Sequence, residues 1–168
     1  EQIEHAFGVV GSESINSDEI GELQGWINFY EFYEDYTQIL VDKKVIEPPA
    51  KSEHILEITY AKYPNAPNGQ MASAVRQACM VIEQMDVERG DRDLDTDKQQ
   101  IMIIARIKPD HIDSIRVAES AFFINKGLVE FGEDNSSLVF ILDWDKLDQN
   151  MKQKAGLALL HLPTEVAA

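Results

Sequence analysis

Hydrophobic and polar positions agree best between Gln100 and Trp144. Ile101, Ile103, Ala105 and Ile107 alternate with Met102, Ile104, Arg106 and Lys108, which predicts a strand with at least one buried face. Pro109 suits the first position of a helix, and Asp110 and Asp113 place negative charge in its first turn. Ile112, Ile115, Ala118 (or Glu119) and Phe122 follow at three- and four-residue spacing, and Lys126 with Gly127 supplies the cation and glycine of a helix end. Two more strands, Leu128–Phe131 and Leu138–Leu142, flank Gly132–Ser137, which is dense in turn formers, so a hairpin joins them. The fold class that follows is α+β: a single domain over 1–168, with a βαββ unit at about 100–144 packed against several amphipathic helices. Its small antiparallel sheet has half of a ferredoxin-like element order.

The rest of the chain reads mainly as helix. Over residues 1–16, Ile3, Phe7 and Val10 share a helical face, but Gly8 and Gly11 weaken it, so this stretch is expected to be loosely ordered. Asn16 or Ser17 then caps the longest helical pattern, with Ile20, Leu23, Ile27, Tyr30, Tyr33 (or Glu34), Thr37 and Leu40 in phase and Lys43 and Lys44 at its end. Trp26, Phe29, Tyr30, Phe32, Tyr33 and Tyr36 crowd into it and cover more than one face. They predict either a helix buried on two sides or an aromatic interaction surface. Pro48 and Pro49 break the pattern. Ser52 caps a short helix to Tyr63, with a strand over Ile55–Tyr60 as the competing reading, and Pro64–Gly69 is a loop. Gln70–Arg89 forms a helix burying Met71, Val75, Ala78 or Cys79, Ile82 and Met85. A last helix starts at Asp143 or Asp145 and carries Leu147, Met151, Ala155, Leu159 and Leu162, before a frayed tail over 164–168.

Charge changes this picture more than composition does. The 168 residues are 44% hydrophobic, a globular composition, with a formal net charge of -15. Residues 1–42 hold ten Asp and Glu and no Lys or Arg, so they account for -10 of it. A field of that sign repels phosphate backbones and anionic lipid and favours a basic partner, so direct nucleic-acid binding and membrane insertion are not expected. No run reaches the ~20 apolar residues of a bilayer span, and Glu1–His5 shows no secretory leader. Cys79 stands alone in an apolar helical run, the setting of a buried small hydrophobe, and a reducing cytoplasmic location is the default expectation.

Candidate chemistry is thin. Asp91, Asp93, Asp95 and Asp97 have the opening spacing of a calcium loop, but its sixth position is Thr96 and its twelfth Met102, so both the tight turn and the bidentate carboxylate are missing. Asp143 and Asp145 flank Trp144 at a spacing that suits a helix cap as well as a metal. His5, His54, His111 and His161 form no i,i+4 pair. Nucleophile-elbow, dinucleotide and phosphate-loop glycine motifs are absent. No catalytic, cofactor-binding or metal residue is therefore assigned.

The first functional expectation is a non-enzymatic acidic adaptor, similar in type to bacterial secretion chaperones although no motif carries the likeness. It would hold a protein partner with a basic or amphipathic segment, with homo-oligomers allowed. Its expected contact residues are Trp26, Phe29, Phe32, Tyr33, Tyr36, Glu31, Glu34 and Asp35. The alternatives are an acidic inhibitor that mimics nucleic acid and blocks a DNA- or RNA-binding protein, and a small-ligand domain or enzyme. The last requires a pocket containing a titratable group of shifted pKa.

Overall fold

A computed structural model of the chain describes residues 3–10, 23–50, 53–64, 66–88, 101–151 and 159–162. In chain order its elements are β1 (Ile3–Val10), β2 (Leu23–Glu31), α1 (Glu34–Asp42), β3 (His54–Lys62), α2 (Gln70–Glu88), β4 (Ile101–Ile107), α3 (Ile112–Ser120), β5 (Phe123–Glu130), β6 (Ser136–Leu142), α4 (Trp144–Met151) and β7 (Leu159–Leu162). The strands make one seven-stranded sheet in the order β5-β6-β4-β3-β2-β1-β7. All neighbours are antiparallel except β3 and β4, which run parallel at its centre. A parallel neighbour requires a crossover, and α2 supplies it.

Each face of the sheet carries its own core. Ile101, Ile103, Ala105 and Ile107 of β4 join Leu56, Ile58, Phe29 and Phe140 under α2 and α3. Met102 and Ile104 point the other way, into a cluster with Leu40 of α1, Ile55, Val129 and Val139. The alternation along β4 is thus a division between two buried faces, as a central strand needs. The helix α2 buries Met71, Val75, Ala78, Cys79 and Ile82, the residues its periodicity selects. Asp143 caps α4, its Oδ1 accepting from the Lys146 amide at 3.2 Å.

Ile3–Val10 is strand β1 and neither a helical face nor loosely ordered, and four further elements differ from expectation. The long helix up to Lys44 is strand β2 followed by the short helix α1. Gly25, Ile27 and Phe29 are buried in alternation along β2, while Trp26, Asn28 and Tyr30 on its other face are half-buried. A strand with aromatics on both sides satisfies a helical template by accident, because no polar face exposes the period of two. Second, His54–Lys62 is strand β3, the competing reading, and no helix follows Ser52 there. Third, α3 stops at Ser120, and Gly127 lies within β5, at φ +103 where the β5–β6 register shifts. It is a bulge glycine and not a helix terminator. Fourth, Leu159–Leu162 belongs to β7 beside β1, so the C-terminal stripe does not extend one helix. The small sheet expected from the βαββ unit is likewise one flank of the larger sheet. Residues 11–22, the Asp91–Lys98 loop and 164–168 lie outside the described residues.

Candidate functional site: a fork between two parallel strands

The parallel strands stay together for four residues only. His54, Ile55, Leu56 and Glu57 pair with Ile101, Met102, Ile103 and Ile104, and the ladder then stops. Beyond that point β3 remains bound to β2, with Ile58 opposite Phe29 and Lys62 opposite Gly25. The strand β4 stays with β6, with Ala105 opposite Phe140 and Ile107 opposite Leu138. The sheet therefore forks at its centre, and β3 from Ile58 to Lys62 faces away from any β4 partner. Backbone groups along such an opening are free to pair with an extended ligand, as an edge strand's are.

A cleft of about 600 Å³ opens beside the fork, on the α2–α3 face. Its walls are the end of β3 (Tyr60, Ala61, Lys62), the turn and first turn of α2 (Asn68, Gly69, Met71, Ala72) and one side of α3, including Ser114, Arg116 and Ser120. Gly69, at φ +85, turns the chain into α2, a conformation costly for other residues. The first turn of α2 holds no acidic residue, so its unpaired amides present partial positive charge to the cleft. Lys62 and Arg116 add two cations. Lys62 Nζ donates to Asn68 Oδ1 at 2.8 Å, tying the strand end to the turn. In a chain of net charge -15, a cleft with two cations against the single acid Asp113 is a local reversal of sign.

Three contacts hold its shape. The Tyr60 hydroxyl donates to the Ser114 carbonyl at 2.6 Å, joining β3 to α3. Burial pushes that phenol above its ordinary 10.0, so it remains a proton donor at neutral pH. Arg76 donates to the Ser120 carbonyl at 2.7 Å and lies over the Phe122 ring, linking α2 to α3. Gly25 lets Met71 sit down on β2: a Cβ there would stand 2.7 Å from the Met71 methyl and 2.5 Å from the Ala61 carbonyl oxygen.

On the opposite, α1 face, an ion pair crosses the fork. Arg106 Nε reaches Glu57 Oε1 at 2.7 Å and a second guanidinium nitrogen reaches Oε2 at 3.0 Å, a two-pronged geometry. The guanidinium also lies 4.6 Å from the Tyr36 ring centroid, 5.1 Å from Phe131 and 5.8 Å from Phe32. Burial works against the Arg106 charge, but the Glu57 bonds and charge outweigh it and hold its pKa above the ordinary value. Thr59 Oγ1 on β3 and Gln70 Oε1 at the start of α2 are buried without a hydrogen-bond partner among the described residues, and neither lines the cleft. No cluster of His, Cys, Asp or Glu among the described residues could hold a metal.

The structure divides the residues expected to bind a partner. Phe29 and Phe32 are core, Trp26 and Tyr36 are half-buried, and only Tyr33, Glu31, Glu34 and Asp35 are exposed. They sit on β2, α1 and the turn between them, so they do not make one aromatic face. The residues that line the cleft escaped sequence reasoning because none belongs to a motif. The legible signals were the loop Pro64–Gly69 and the acid-free start of the α2 pattern.

No family model matches this chain, and no curated protein matches it. Solved structures do. An uncharacterized protein from Bacillus halodurans is similar at TM-score 0.50 and 17% identity, over 83% of this chain and 67% of that one. An aminoglycoside acetyltransferase in complex with coenzyme A follows at TM-score 0.49 and 14% identity, over 78% of this chain and 65% of that one. A spermidine N-acetyltransferase chimera from Vibrio cholerae and human sequences has TM-score 0.48 and 10% identity, over 84% and 68%. The chain thus spans just under two thirds of the aminoglycoside acetyltransferase. The adaptor expectation, and with it the protein partner, is corrected here. Its motivating aromatic helix is an interior strand followed by a short helix, and Phe29 and Phe32 of the expected contact set are buried in the core. No described helix is long and apolar enough to cross a membrane. The similarity to the Bacillus halodurans protein supports the mixed α+β fold.

Proposed function

We propose that this protein binds an acyl-coenzyme A in the cleft and fork and transfers its acyl group to an amine. The observation that carries the reading is the fork itself: parallel strands that part after four pairs, directly beside a cleft floored by a helix N-terminus. Coenzyme A, the ligand named for the aminoglycoside acetyltransferase, is a long chain with amide groups at one part and phosphates at another. The free backbone of Ile58–Lys62 suits the amides. The α2 N-terminus with Lys62 and Arg116 suits the phosphates. This returns to the third sequence-level alternative, a pocket with a shifted titratable group, and replaces the expectation of no cofactor.

The thioester supplies the activated acyl group, and the chain's work is positioning. The fork would take the acyl end between its half-sheets, and Tyr60, whose hydroxyl proton is committed to the Ser114 carbonyl, fixes α3 against the β3 arm beside it. The net negative charge attracts a cationic amine acceptor. A thermal-shift titration with coenzyme A tests the reading. A ligand at a hundredfold excess over its dissociation constant stabilises by about 2.7 kcal/mol, so a clear rise in melting temperature is expected. Pantetheine, which lacks the phosphates, should give a smaller rise, and Arg116→Gln should weaken coenzyme A binding by roughly three- to tenfold. No shift with coenzyme A at millimolar concentration sinks the proposal.

A further inference from the structure

We infer that the Glu57–Arg106 pair is a positioning device that fixes where the fork begins. The inference rests on the reading of the fork as the ligand site, but its first test does not. Glu57 is the last residue of β3 with a β4 partner, opposite Ile104. Arg106 lies two residues further along β4 on the same face, past the point where pairing ends. Its guanidinium reaches back to Glu57 through two bonds of 2.7 and 3.0 Å, so the pair bridges the diverging strands at the place where they part.

The surroundings make the pair hard to rearrange. Side-chain exposure is 16% for Arg106 and 10% for Glu57, so neither charge has water to turn to if the other withdraws. Phe32, Tyr36 and Phe131 enclose the guanidinium in π-faces, which favour a cation and exclude a neutral polar group of other shape. These aromatics come from the link between β2 and α1 (Phe32), from α1 (Tyr36) and from the residue after β5 (Phe131), and the Tyr36 hydroxyl also accepts from Asn135 in the β5–β6 turn at 3.4 Å. Lys108, two residues beyond Arg106, donates to the Ser136 carbonyl at 3.0 Å. The β4 arm of the fork is therefore held by α1 and the β5–β6 turn, and the β3 arm is joined to it by one carboxylate.

A mere stabilising ion pair would raise stability everywhere. A positioning pair predicts a local effect: without it the ladder should unzip backwards from Glu57–Ile104, and the aperture should lose its fixed width. Hydrogen exchange on the ligand-free protein, read by mass spectrometry, distinguishes the two. For Glu57→Gln and Arg106→Lys, amides in 54–57 and 101–104 should exchange faster, while α2 and the β1–β2 ladder exchange as in wild type. Both variants keep volume and polarity, so a fold remains to be measured; should Arg106→Lys not fold, Glu57→Gln decides. Coenzyme A affinity should fall roughly tenfold in either variant at a temperature well below melting; the melting temperature falls as well, because each change strands a buried partner, so the pattern of exchange and not the melting temperature decides. Uniformly faster exchange, or unchanged exchange at the last pairs, overturns the inference. Local unzipping in a protein that never binds coenzyme A would keep the positioning role and reject the ligand reading.

Discussion

Cys79 shows how one residue's environment becomes a measurable property. Its side chain is wholly buried in the α2 face of the core, and burial pushes the thiol well above its ordinary 9.0. The folded state then keeps a proton that the unfolded chain releases as pH rises through about 9. Stability is complete below that pH and declines above it, by about 1.4 kcal/mol per pH unit for each such group. Tyr60, raised from 10.0, joins the decline one unit later. Denaturant titrations from pH 7 to 10.5 should therefore show an alkaline limb, and Cys79→Ala should flatten its portion between 9 and 10. In the native protein Cys79 should resist alkylation until denaturant is added. Sequence reasoning reached this residue correctly, because an apolar helical run with one cysteine leaves the thiol nowhere polar to go. It could not reach Tyr60, whose partner Ser114 lies 54 positions away and is brought in by the sheet.

Elements were legible where one face was buried by a simple period. The α2 stripe, the β4 alternation and the Gly132–Ser137 hairpin all survive in the structure. Two of the misread elements share a cause: in β2 and β5 glycine hides the period. In β2 the inward position before Ile27 is Gly25, which carries no hydrophobic signal, and in β5 Gly127 marks a bulge instead of a helix end. The two glycines also separate two physical roles. Gly127 has open space around its would-be Cβ but sits at φ +103, with its amide held by Asn125 Oδ1 at 2.8 Å. Gly127→Ala should cost only the strain of that backbone conformation, about 1 kcal/mol. Gly25→Ala meets a backbone carbonyl that cannot step aside and should cost about 1–3 kcal/mol as overpacking. Chemical denaturation gives both values. Only the Gly25 change should also lower coenzyme A affinity, because Met71 carries the first turn of α2 into the cleft wall.

Across the whole molecule, charge and site oppose each other. The net charge of -15 repels a polyphosphate ligand at long range, while Lys62, Arg116 and the α2 N-terminus attract it at contact. Salt screens the long-range term first, since the Debye length is about 10 Å at 0.1 M. The association rate for coenzyme A should therefore rise, or hold steady, between about 20 and 150 mM salt, where a basic site on a basic protein would lose rate. Stopped-flow measurements at several salt concentrations check this, and a steep fall would show that the local cations dominate. The acidic balance was plain from the sequence, but a recess lined by Lys62 and Arg116 was not, because it is assembled from three separate elements.

The sheet order carries a consequence for how the chain is made. Strand β7 pairs with β1, with Ala6 opposite Leu162 and Val9 opposite Leu159, so the outer edge of the first strand is covered by one of the latest. During synthesis β1, β2 and β3 emerge early and can pair among themselves, yet β1 keeps an open hydrogen-bonding edge until residue 162 has left the ribosome. From the synthesis of β1 until that of β7 the nascent chain carries that edge without its partner strand, and its closure is the contact of greatest sequence separation in the sheet, the kind that forms slowly.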